Sequence, residues 1–537
     1  MVVDEVLEAE MVYPNSKFKS QAIIVRDVIM KPAILASVLV VVFVSSTLVV
    51  IFVDFSPAIE YELIDFDETR ARGFAQDLVD LGHEDWKGRM SGTAEELAAA
   101  QYVEAKLAEL GYQTELNQYQ VPMHRINSEP SLKICTPGLI VTGPGVCSTA
   151  DLTASEYEFS HRIDYVIQGF SGESNFRFQN NAEIVHLGNG SDDALWESAA
   201  GKIGYIVSGG TVGSNTQIMV KAIENDLSSI IRVNKDRGCG TIEGEDCVPI
   251  FKGTGYDDMV SANGGSAPTQ MAFIAMSKDA GEILELEVIN GSGRLEMLID
   301  VTNDEKLTIN VPCGTMQGKS DEVVIIGGHH DTVYNGPGAI DDTSGSASVL
   351  EMAAQMATIF ESKGQPDRTV KFCTWGGEEE GLWGSKAYVE QNKAYLGENL
   401  RLYVNLDMNH VDIDYETRGN SVTLFTNNEV DLQYITAITS QYEKENSEMA
   451  NRYDIRLALY AGAKGEPDGM PYNSDHGPFV YDRGTKEDGR AVVCYGSGSS
   501  EYHTYLDDMS RFNEESLGLS ITIYGTYVNY LAYSINA

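Results

Sequence analysis

The sequence predicts an α/β protein: a mostly parallel central sheet flanked by helices, with a small β-rich insert and an apolar N-terminal segment. Three observations carry this expectation. From about Leu307 onward, short apolar runs alternate with amphipathic ones, EVVIIGG, then SVLEMAAQMATIF, then TVKFCTW, and strand alternating with helix implies parallel strands covered on both faces. Between residues 160 and 300 the rhythm changes to short β runs, AEIVHLG, GKIGYIVSGG and SSIIRVN, around one helix-like stretch, TQIMVKAIEND. Finally, Pro32 to Val53 carries no charge.

That uncharged run would span roughly 33 Å as a helix, enough for a hydrocarbon core of about 30 Å, and predicts a transmembrane helix. Lys17, Lys19, Arg26 and Lys31 precede it, while Asp54, Glu60, Glu62, Asp65 and Asp67 follow it. The positive-inside rule then places residues 1–31 in the cytoplasm and everything beyond residue 53 outside. A cleaved signal peptide is the alternative, although the apolar core is longer than a usual signal and no small-residue cleavage site follows it.

After the anchor, residues 56–125 form the first part of the main domain. Thr93 to Leu110 sets Leu97, Ala100, Val103, Leu107 and Leu110 on one helical stripe, with Ser91 or Thr93 as N-cap and Gly111 as the stop. Residues 126–160, rich in Pro, Gly, Ser and Thr, predict a long connection, and 160–300 a binding or lid module with its own core. Residues 301–537 form the second part of the main domain. In SVLEMAAQMATIF, Val349, Ala353, Met356 and Phe360 share a helical face.

The chain has 537 residues, 80 acidic against 38 basic, for a formal charge of −42. Such a length suits two domains with appendages, and such a charge argues against nucleic acid or an anionic membrane surface as partner of the folded part. Cys135 with Cys147 and Cys239 with Cys247 are close pairs in polar, Gly-rich sequence, placed for disulfides outside the cell. Cys373 and Cys494 lie in apolar runs and read as buried thiols, while Cys313 carries no signal. No C-x-x-C is present, which excludes a zinc ribbon.

Chemistry concentrates where apolar runs end. After EVVIIGG come His329, Asp331 and Asp341; after TVKFCTWGG, Glu378 and Glu379; after RLYVNL, Asp407. Ligand crevices of open α/β sheets lie outside the carboxyl ends of the strands, so these groups should meet at one rim. His329 can ligate a metal through one ring nitrogen while Asp331 takes the other, and Asp341 has two oxygens with which to bridge a pair of ions. Of two adjacent glutamates, one can bind metal while the other serves as general base toward a water. A carboxylate such as Asp407 ending an apolar run costs free energy unless paired or metal-bound. His503 in SSEYHTYLDD completes a nitrogen and oxygen donor set, with Asp507 as its partner. Such ligands suit Zn²⁺, with Mn²⁺ or Co²⁺ as substitutes.

HxD, a later DD, EE before GLxGS, NLD-M, SDHGPF and YHTxxD, in that order, resemble the di-zinc exopeptidase family that includes secreted bacterial leucine aminopeptidases, aminopeptidase Y and glutamate carboxypeptidase II. The likeness runs from about residue 65 to the end, and residues 160–300 resemble the protease-associated domain many members carry. What the resemblance implies is a pair of zinc ions, one held by His329 and Asp407, the other by Glu379 and His503. Asp341 would then bridge them, Glu378 act as general base, Asp331 orient His329, and Tyr502 assist the oxyanion. Ser474, Asp475 and His476 match a family segment near the substrate pocket, or form a structural loop. His330 and Glu380 depart from the pattern without removing a ligand. The expected protein is a membrane-anchored aminopeptidase acting on peptides. A carboxypeptidase or dipeptidase would need a basic cluster to clamp a carboxylate, and a glutaminyl cyclase or a catalytically inactive receptor-like relative are the remaining readings.

Overall fold

The computed structural model describes residues 37–44, 47–54, 60–138, 146–148, 152–208, 213–234, 248–412, 419–499 and 501–534. Eight strands build the central sheet: β1 (Gln113–Ile126), β2 (Val301–Met316), β3 (Val323–His329), β4 (Thr369–Trp375), β5 (Leu400–Leu406), β6 (Ser421–Thr426), β7 (Asp454–Leu459) and β8 (Ala491–Tyr495). Their order is β7-β6-β8-β5-β3-β4-β2-β1. Strands β4, β3, β5 and β8 run parallel to one another, β6 pairs parallel with β7 but antiparallel with β8, and β2 is antiparallel to both β4 and β1. The sheet is therefore mixed: parallel order holds at its centre, and hairpin-like pairings cover one edge.

Every residue of β3 is buried, as expected of a strand with helices on both sides. Val324 and Ile326 enter one hydrophobic cluster with helices α1 (Glu68–Val79), α2 (Ala94–Glu109), α3 (Thr343–Lys363) and α4 (Glu514–Tyr533). Val323 and Ile325 enter a second, with Tyr388, Val389 and Phe479. Thr93, not Ser91, caps α2, and the predicted face of α3, Val349, Ala353, Met356 and Phe360, is buried. The glycines before His329 are steric necessities. A Cβ at Gly327 would stand 2.5 Å from Trp375 Nε1, and one at Gly328 would stand 2.5 Å from the Leu406 carbonyl oxygen.

Strands β1 and β2 pair from Gln113↔Thr315 to Ile126↔Val301, and the described residues between them form an inserted module with two sheets. One sheet has the order Tyr165–Ile167, Ala272–Met276, Ser229–Asn234, Ile203–Ser208, Ile184–His186; the other is Ser155–Phe159, Ser131–Thr136, Arg294–Ile299, Ser174–Phe176. The supposed connection before residue 160 thus contributes two strands. Its polar residues occupy a half-exposed sheet, in which Leu132 and Ile134 face inward. The module's core includes Tyr165, Ile231 and Phe251 and continues into Val333 and Tyr334 of the main domain.

Cys135 and Cys147 are disulfide-bonded, and Cys494 is a buried free thiol. Cys373, expected as a thiol, is bonded to Cys313, because β2 and β4 place the two opposite each other in register. Cys239 and Cys247 lie outside the described residues. The apolar N-terminal run does not form the expected helix: Ser37–Val44 and Thr47–Asp54 pair as antiparallel strands. Its many β-branched Val, Ile and Thr residues favour extended backbone, and pairing the two halves satisfies their backbone groups. Among the described residues, no helix is long and apolar enough to cross a membrane.

Candidate metal centre

The four parallel strands at the centre of the sheet deliver their functional residues to the same edge. His329 ends β3, Asp407 follows the last residue of β5, Glu378 and Glu379 follow β4 after two glycines, and His503 lies beyond β8. All the predicted ligands meet there. Asp341 is the hub: Oδ1 lies 3.3 Å from His329 Nε2 and Oδ2 lies 3.0 Å from His503 Nε2. Glu379 Oε2 stands 2.8 Å from His503 Nε2, while Asp407 Oδ1 and Glu378 Oε2 stand 3.9 and 3.8 Å from His329 Nε2. Nitrogen and oxygen donors without thiolate, at this spacing, fit zinc. Glu379 Oε1 is buried with no protein hydrogen bond, which leaves it available to an ion.

Asp342 also approaches the cluster and groups with His329 and Asp407. Its oxygens are already occupied, accepting the backbone N–H groups of His329 at 3.0 Å, Gly345 at 2.9 Å and Met408 at 2.8 Å. It therefore belongs to the scaffold that ties β3, α3 and β5 together.

The ring nitrogens facing away from the cluster are anchored. His329 Nδ1 lies 3.1 Å from the Asp331 carbonyl oxygen and 3.4 Å from Asp331 Oδ1, and His503 Nδ1 lies 2.9 Å from the carbonyl oxygen of Phe251. A carbonyl only accepts, so Nδ1 of His503 carries a hydrogen and Nε2 is the nitrogen left to face the cluster. Asp331 also accepts from Ser91 Oγ at 3.0 Å and from the Gly377 N–H at 3.1 Å, so it sets the loop bearing the two glutamates as well as the ring of His329.

Sequence reasoning placed Ser91 at a helix cap and Asp507 beside His503. Asp507 instead accepts the N–H groups of Ile340 and Asp341. Ser474 accepts from Asn405 Nδ2 at 2.9 Å and hydrogen-bonds Asp407, so that segment supports Asp407. Tyr502 stacks on His503 with ring centroids 3.7 Å apart, and its hydroxyl accepts from Lys252 Nζ at 2.9 Å. His330 is buried between Thr374 and Glu96. The carbonyl of Phe251 had no sequence signal, since any residue could supply it.

Charge is crowded here. Burial pushes Glu378 well above the ordinary carboxylate range; His329 opposes this, and Asp407 and Asp475 add to it. Burial likewise lifts Asp407 to about 6 and Asp475 to about 7. Burial alone would raise Asp341 too, but hydrogen bonds from His329 and His503 hold it low. Burial alone would lower His329, yet Glu378, Asp331 and Asp341 raise it. A cation among these carboxylates relieves their mutual repulsion.

The profile of peptidase family M28 matches residues 310–526. An aminopeptidase of Pseudomonas aeruginosa is 39% identical over 115 residues, 21% of this chain and 20% of that protein. A probable leucine aminopeptidase 2 of Aspergillus oryzae is 29% identical over 259 residues, 46% of this chain and 49% of that protein. The chain thus matches from a fifth to a half of the length of these relatives. In fold, a zinc aminopeptidase from Bacillus subtilis aligns with TM-score 0.59 and 19% identity over 89% of this chain and 98% of its own. An aminopeptidase from Aneurinibacillus sp. strain AM-1 gives 0.55 and 22% over 87% and 94%. Across residues 310–526, which hold the ordered motifs, the chain is similar to peptidase family M28.

Proposed function

We propose that the chain is an aminopeptidase that holds two zinc ions and removes N-terminal residues from peptides. The observation carrying this reading is Asp341, which presents one carboxylate oxygen to each ligand histidine. His329 and Asp407 would hold one ion, Glu379 and His503 the other, with Asp341 between them. When bound, zinc supplies Lewis-acid polarisation of the scissile carbonyl and acidifies the attacking water. The protein does the rest. Glu378 accepts the proton of that water and returns it to the leaving amine. The Tyr502 hydroxyl donates to the carbonyl oxygen as negative charge develops there. The surplus of carboxylates around the cleft favours a substrate with a free ammonium. Of the basic groups acting on the site, Arg89 is engaged by the carbonyls of His330 and Pro337 and by Thr343, and Lys252 by Tyr502. Neither is part of a cluster built to clamp a carboxylate.

Hydrolysis of matched free and N-blocked peptides, with zinc content measured in parallel, tests the reading. Cleavage of free peptides alone supports it. Cleavage of N-blocked peptides from the C-terminus would make the protein a carboxypeptidase. The inserted module is proposed to be a protease-associated domain overhanging the cleft.

The proposed location is outside the cytoplasm. This rests on the Cys135–Cys147 disulfide, a bond that persists in oxidising compartments. Accessibility of the catalytic part to protease added to intact cells is the expected outcome, and full protection from it would overturn the location.

A further inference from the structure

His503 takes its orientation from the inserted module. Its Nδ1 donates to the carbonyl of Phe251 at 2.9 Å, and its own carbonyl accepts the Phe251 N–H at 3.1 Å. On the module's side main chain alone makes this clasp, so the clasp is only as rigid as the segment 250–252. The buried ring of Phe251 and the Gly169 N–H, which donates to the Lys252 carbonyl at 3.0 Å, help to hold that segment, and one buried side chain bonds both residues that flank Phe251. Gln168 donates through Nε2 to the Ile250 carbonyl at 3.0 Å and accepts the Lys252 N–H on Oε1 at 3.0 Å, bracketing Phe251 from both sides. Gln168 is itself held, since its Oε1 accepts from Asn215 Nδ2 at 2.6 Å and Asn215 Oδ1 accepts from Arg232 at 2.6 Å. Gln168 and Asn215 are 1% and 2% exposed, so water cannot readily replace these bonds.

We infer that the inserted module is a working part of the metal centre: the relay Arg232–Asn215–Gln168 fixes Phe251, and Phe251 fixes His503. Gln168 is thus a positioning residue, acting on a ligand through two shells of hydrogen bonds. Outer partners of a ligating histidine set its tautomer and ring angle, and their loss commonly costs 10–100-fold in metal affinity. An insert serving only as a wall of the substrate cleft would alter KM for long peptides and leave zinc binding untouched. This inference rests on the reading of His503 as a metal ligand.

The test is zinc affinity in the full-length chain, measured by competition with a chromogenic chelator in zinc-buffered solution, with elemental analysis of stoichiometry. His503→Ala should lose one of two ions. Gln168→Leu should weaken that same ion by about 10–100-fold and leave the other unchanged, with kcat recovering as free zinc is raised. A folded Gln168→Leu protein with both affinities at the wild-type value, while His503→Ala loses an ion, overturns the inference and leaves the proposed function standing. Two unchanged ions in His503→Ala would instead overturn the ligand assignment and the inference with it. If Gln168→Leu does not fold, Asn215→Ala carries the test, because it spares the bonds of Gln168 to Ile250 and Lys252. A smaller weakening of the same ion is then expected, and unchanged affinity overturns the proposal.

Discussion

Asp507 holds Asp341 by its main chain, Oδ2 accepting the Asp341 N–H at 3.0 Å while Oδ1 accepts that of Ile340 at 2.8 Å. The Asp341 side chain is thereby turned toward both histidines without spending either of its own oxygens on the backbone. In Asp507→Asn, one acceptor oxygen becomes an amide that faces an N–H. Zinc affinity at both ions should fall about 10–100-fold, the usual effect of a lost outer partner, as read by chelator competition. A loss confined to one ion would show that Asp341 does not serve both.

The two glutamates of the GGEEEG loop should separate by phenotype. Glu378→Gln keeps the shape of the side chain but cannot accept a proton, so kcat should fall by about 10²–10⁴ with zinc content and folding intact. Turnover near wild type in a zinc-replete Glu378→Gln protein would place the base elsewhere.

Glu379→Gln should instead lose one ion selectively, with partial restoration by excess zinc, because Glu379 Oε2 stands 2.8 Å from His503 Nε2. Elemental analysis before and after zinc addition reads this directly. Full chelation of the wild-type chain should abolish activity.

Acid sensitivity should come from buried histidines that are not among the proposed ligands. Burial pushes His124 and His410 from 6.5 down to about 3. The unfolded chain takes up protons near 6.5 while the folded one resists until about 3, so their contribution is intact above 6.5 and is lost as pH falls. Each costs about 1.4 kcal/mol per pH unit below 6.5. Urea midpoints should therefore drop between pH 7.5 and 5.5. His124→Leu should flatten that drop, since the buried His124 nitrogens have no hydrogen-bond partner to lose. An unchanged slope in His124→Leu would mean that the imidazole is not held neutral.

Much of the centre was legible because its signals are local. An apolar strand ending in His329, a carboxylate closing another at Asp407 and paired glutamates after a third need only the rule that parallel strands end at one rim. What escaped was contact between distant segments. Asp342 and Asp507 spend their oxygens on backbone N–H groups of other segments, and Phe251 acts through its carbonyl, so residue type announces none of these roles. Hydropathy failed at the N-terminus for a different reason. A run of Val, Ile and Thr is apolar in either conformation, and a window of uncharged residues does not choose between one helix and two paired strands.

Strands β1 and β2 stay side by side from Gln113↔Thr315 to Ile126↔Val301, so the chain leaves the sheet and re-enters it at one place. Topologically such an excursion is removable, since a short turn from Ile126 to Val301 would close a plain hairpin and leave the sheet intact. The bond from His503 to Phe251 takes that freedom away. A chain without the module would lose the hydrogen-bond acceptor that orients His503, and would need a substitute. An addition that the backbone can do without has become one that the imidazole cannot.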